Sequence, residues 1–157
     1  MIPVVAAEVG CGKEDDETYM RSVYESLYRQ NEFYNKLAKP IMYSKWVVVR
    51  SGQPIFVLPD TCNIFGKYNG EQYVIMPITP NDCLIVLPVP VSDIRIVPHY
   101  IEASDSLSKD ISAVLTASAE SEFLADENFE LNAVCKDEPN KIIQRIILSI
   151  AKITAYD

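Results

Sequence analysis

The sequence predicts an α+β domain with an N-terminal helix, a mainly antiparallel sheet of about five short strands and two C-terminal helices. Three observations carry that expectation. Apolar residues recur at helical spacing before Pro40 and again after Asp105 and Pro139. Short β-branched runs separated by Gly, Pro, Asn and Asp fill residues 43–98. The links between these runs are too short for helical crossovers, so neighbouring strands run antiparallel and a doubly wound nucleotide-binding sheet is disfavoured. With 157 residues and 48% hydrophobic content, one core is expected, in a single domain over residues 1–157.

The first helix is expected over residues 14–39. Met20, Val23, Tyr24, Leu27, Tyr34 and Leu37 recur along it, and Pro40 terminates the pattern. Glu14, Asp15, Asp16 and Glu17 occupy its first turn, where they complement the positive end of the helix dipole. Candidate strands follow at 45–50, 54–58, 72–77, 83–88 and 92–97. Asn69-Gly70, after Ile64-Phe65, predicts a tight hairpin turn that needs positive φ. Six prolines between Pro54 and Pro90 mark strand ends or edges, since proline cannot donate to a ladder.

Helix two is expected over 104–124 with Asp105 as its N-cap and Leu107, Ile111, Val114 and Leu115 on one face. Residues 128–134 suggest an edge strand. Helix three, over 138–154, has Pro139 in its first turn and a broad apolar face of Ile143, Ile146, Ile147, Ile150 and Ile153. A face that wide also suits a homodimer.

Fourteen Lys and Arg against 22 Asp and Glu give a net charge of −8, a field that repels phosphate backbones. Direct nucleic-acid binding is therefore disfavoured, and a protein partner is expected. The opening Met1–Ala7 lacks a basic leader region, and no run reaches the roughly 18 apolar residues of a membrane span. A cytoplasmic protein without membrane contact is expected. Cys11, Cys62, Cys83 and Cys135 form no Cys-x-x-Cys pair, so neither a zinc knuckle nor a dithiol motif is supported.

Each motif of site chemistry is incomplete. Gly10-Cys11-Gly12-Lys13 approaches a phosphate-binding loop but places Glu14 where a magnesium-binding hydroxyl belongs. Ser106-Leu107-Ser108-Lys109 has the spacing of a Ser-x-x-Lys acyl enzyme without its companion motifs. No cofactor is expected. Asp60, Asp82 and Asp93 end or interrupt apolar strands and offer a divalent-metal hydrolase, with His99, the one histidine, assisting proton transfer. The favoured reading is a non-enzymatic interaction module, an accessory or inhibitor protein in bacterial or phage conflict. It docks through Tyr19, Tyr24, Tyr28 and Tyr34 of helix one or through the acids Glu14 to Glu17. A third reading has the acidic residues imitate nucleic acid in a partner's basic groove.

Three segments carry a family resemblance. They are Trp46–Val49 leading into Phe56-Val57-Leu58-Pro59-Asp60, Pro77-Ile78-Thr79-Pro80 with the apolar run Asp82–Leu87, and Asp110–Ala119 running into Glu122-Phe123-Leu124-Ala125. Together they resemble the C-terminal half of the bacterial family known as domain of unknown function 4238, over roughly Lys45 to Asp126. Asp60, Pro77 and Pro80 match its distinctive positions, whereas Pro59, Thr61, Cys62 and Ser112 depart from them, and the family's His-rich opening is missing. The resemblance implies a strand after the helix at 110–119 and supplies no established reaction.

Overall fold

The computed structural model describes residues 18, 21–23, 25–26, 34–91, 98–131 and 137–156. The chain divides into two compact units, Met1–Pro40 and Ile41–Asp157.

In the first unit the described residues between Thr18 and Ser26 are helical, and Arg21 pairs with Glu25 one turn on. A π-helical turn follows at Tyr34–Ala38, and helix α1, Lys39–Met42, begins in the first unit and ends in the second. Helical backbone thus continues past Pro40, the expected stop. Pro40 is the second residue of α1, in the first turn, where its missing N–H and fixed φ are tolerated. The acids Glu14 to Glu17, the phosphate-loop-like run, Tyr19, Tyr24, Tyr28 and the Tyr34 side chain lie outside what is described.

The second unit is built on a mixed five-stranded sheet. Its elements are β1 (Ser44–Arg50), β2 (Leu58–Pro59), β3 (Ile64–Tyr68), β4 (Glu71–Pro77), β5 (Asp82–Pro90), β6 (His99–Glu102), α2 (Asp105–Ser118), β7 (Phe123–Leu124) and α3 (Pro139–Ile153). The large sheet has the order β3-β4-β5-β1-β6, and β2 with β7 forms a separate two-stranded ladder. All pairs are antiparallel except β1 with β6. β6 runs opposite to β5, and β1 already pairs with β5 antiparallel, so β6 lies parallel to β1.

The β3–β4 hairpin turns on Asn69 (φ 51°) and Gly70 (φ 84°), the two positive-φ positions of a type I′ turn. Gly66 lies opposite Tyr73, and a Cβ there would sit 2.5 Å from the tyrosine hydroxyl, so the missing side chain makes room for the ring.

Alternation along the strands sends Val47, Val49, Ile75, Cys83, Ile85 and Leu87 to one face. They share a core with Leu107, Ile111, Val114 and Leu115 of α2 and Ile142, Ile143, Ile146, Ile147 and Ile150 of α3. The apolar face read as suited to a homodimer is buried within the chain's own core, with Ile142 in place of Ile153, which is 49% exposed. At the C-terminal end of α3 the Lys45 ammonium donates to the Thr154 carbonyl at 2.5 Å, a cation at the negative end of a helix.

Several boundaries differ from the sequence reading. Ser104, not Asp105, caps α2: its hydroxyl accepts the Leu107 N–H at 3.2 Å. The helix ends at Ser118 instead of Leu124, and Phe123–Leu124 forms β7. Residues 55–57 join no ladder, because the Phe56 N–H bonds to the Pro80 carbonyl and the Ile55 carbonyl accepts from the buried Ser112 hydroxyl. Phe56 and Val57 still enter the core. Residues 128–131 are not a strand, while 92–97 and 132–134 lie outside the described residues.

Candidate functional site

Asp60 follows β2 directly. Its carboxylate accepts the backbone N–H groups of Glu120 (2.9 Å), Ser121 (2.9 Å) and Glu122 (3.3 Å), just beyond the end of α2. The Asp60 N–H returns a bond to the Glu122 carbonyl at 3.1 Å. Asp60 is therefore a clasp that brings residues 120–122 alongside β2 and lets Phe123–Leu124 pair with Leu58–Pro59. These N–H groups, that of Glu120 foremost, hold the Asp60 carboxyl below its ordinary range.

Asp82 is engaged elsewhere. It lies opposite Arg50 in the β1–β5 register, and Arg50 Nε and Nη2 reach its two carboxylate oxygens at 2.7 and 3.4 Å. The Thr79 hydroxyl donates to Asp82 at 3.2 Å and accepts the Asp82 N–H at 2.9 Å, closing the turn before β5. The Arg50 guanidinium holds the Asp82 carboxyl down as well. His99 sits on β6 opposite Val47, and Asp93 lies outside the described residues. Among the described residues no three His, Cys, Asp or Glu side chains are gathered where they would hold a metal ion. The buried Cys83 thiol is pushed up by desolvation, away from the reactive thiolate.

These two carboxylates are expected to make stability depend on acid pH. Both have folded values below the unfolded one of about 3.9, so on acidification the unfolded chain takes up protons first. Stability is fully present above that value and falls as pH drops through it toward the lower folded values. Urea midpoints measured from pH 7 to pH 3 are expected to hold at neutral pH and decline as pH falls through about 4. Asp60→Asn should start lower and decline less steeply. An equally steep decline in that variant would remove Asp60 as a contributor.

The clasp also shapes the surface. Leu58 and Leu124 are opposed in register on one face of the β2–β7 ladder, exposed by 43% and 73%. Beside them lies Ile78, 55% exposed, in the proline-bounded turn after β4. These side chains border a groove of about 540 Å³, floored by Phe56 and closed by Pro77, Pro80, Asp126 and Glu127. A second groove of about 270 Å³, bordered by Asp60, Cys62 and Glu122, lies against the same two leucines. The ladder is thus an apolar ridge between two grooves.

None of Leu58, Ile78 and Leu124 is singled out by sequence reasoning, although two signals point to them. Ile78 lies between Pro77 and Thr79-Pro80, where a ladder cannot continue. Leu124 is flanked by Glu122, Asp126 and Glu127 in a stretch, residues 110–135, with six acids and no Lys or Arg. Compared with protein-family models, curated proteins and solved structures, the chain matches none of them. No described helix is long and apolar enough to cross a membrane.

Proposed function

We propose that this protein is a non-enzymatic interaction module that docks on a protein partner through the ridge of Leu58, Ile78 and Leu124. The observation that carries the reading is the gathering of three large apolar side chains, each two-fifths or more exposed, around one groove. Single exposed apolar residues are ordinary on a protein surface, but a contiguous group rimmed by polar residues marks an interaction site. The metal-hydrolase alternative draws no support from Asp60 and Asp82, since their oxygens already serve the Glu120–Glu122 backbone and Arg50. The expected tyrosine surface of helix one is not needed for this reading.

The test is capture of the tagged protein from native-host lysate, in parallel with an Ile78→Asp/Leu124→Asp variant. Both residues are exposed, so the variant should melt close to the parent. A stoichiometric partner present with the parent and lost with the variant is expected. The same partner recovered on both, or no partner on either, would refute docking through this ridge.

A further inference from the structure

The surroundings of the ridge say what chemistry its partner has. Among the described residues, the two grooves are lined by Asp60, Glu122, Asp126 and Glu127, and by no Lys or Arg. Glu122 and Glu127 are exposed, and Asp126 is oriented by the Asn128 backbone and side-chain N–H groups, both 3.0 Å from its Oδ1. Asp60 is engaged by backbone N–H groups, so the outward-facing charge comes from the other three. The run 110–135 that supplies them holds no cation to offset it. Acids this close to a docked chain act within the Debye length of about 8 Å at physiological salt, so they bias which sequences settle there.

Resting on the docking reading above, we infer that the ridge receives a basic segment of the partner chain. Its leucine-class side chains enter the groove between Leu124 and Ile78, and its Lys or Arg residues face Glu122, Asp126 and Glu127. A ridge between two open grooves suits a chain laid across it better than a small molecule enclosed in one of them. A second copy of this protein is a poorer occupant. An isologous contact would set this acidic rim against its own twin, and the whole chain carries −8. Nucleic acid would meet the same repulsion.

The probe is a random dodecapeptide library displayed on phage, selected on the full chain and counter-selected on Leu124→Asp. Enriched peptides are expected to combine Leu, Ile or Phe with net positive charge. A synthetic copy of one should bind Leu124→Asp and Glu122→Lys/Glu127→Lys each about tenfold more weakly than the parent, and weaken as salt rises. Neutral or acidic peptides that still require Leu124 would overturn the basic-segment inference while leaving the docking surface standing. If no peptide tells the parent from Leu124→Asp, both ideas fall.

Discussion

Ile146→Ala is expected to lower the stability of the second unit by about 2–5 kcal/mol. Ile146 is fully buried in α3 and belongs to the cluster that joins α2 and α3 to the sheet. Truncation removes apolar surface from a close-packed site and leaves a cavity that the helix and sheet cannot fully close. Ile153→Ala on the same helix serves as the control. Its side chain is half-exposed, so its cost should stay below about 1 kcal/mol. Guanidinium midpoints at unchanged m-value would measure both. Similar losses at the two positions would contradict the packing of α3 described above.

The second large effect is expected where Arg145 of α3 meets Asp110 of α2. Arg145 Nε and Nη2 donate to the two Asp110 oxygens at 3.1 and 2.7 Å, and Nη1 reaches Asp137 at 2.8 Å. The Asp110 residue is buried whereas the Arg145 side chain is nearly half-exposed, so the two ends of the pair are not equivalent. Arg145→Met leaves a poorly solvated carboxylate between the helices and should cost about 2 kcal/mol, less than for a fully buried pair because solvent screens the arginine side. Replacing both groups, as Asp110→Leu/Arg145→Met, should recover most of that loss, since no buried unpaired carboxylate remains and Asp137 is exposed to solvent. A double-mutant cycle reads the coupling directly. A coupling below about 0.5 kcal/mol would make this an ordinary surface contact.

Individual elements indicate where local reasoning succeeds. β1, β4 and β5 are readable because each is an apolar run bounded by turn residues, and the Asn69-Gly70 hairpin because positive φ at two adjacent positions is a local demand. α3 is readable from Pro139 at its start and the isoleucine spacing after it. The stretch 54–58 has the composition of a strand yet finds no strand to pair with for most of its length. Its backbone is satisfied instead by Pro80 and by Ser112, which lies 57 residues away from Ile55. The end of α2 is misplaced for a related reason. Beyond Ser118 the backbone N–H groups are drawn to Asp60, a competitor that helical periodicity does not contain.

The same contrast governs the site. The sequence by itself determined the fold class and the acidic charge, and it offered Asp60, Asp82, Asp93 and His99 as candidates for metal chemistry in the sheet region. All of these follow from residue type and short spacing. Only the tertiary structure decided that Asp60 holds a loop 60 residues away, that Asp82 faces Arg50 across two strands, and that Leu58, Ile78 and Leu124 are left in solvent. The role of a carboxylate is set by which donors reach it, and the exposure of a leucine by what packs over it. Both depend on contacts between distant segments, which no local pattern encodes.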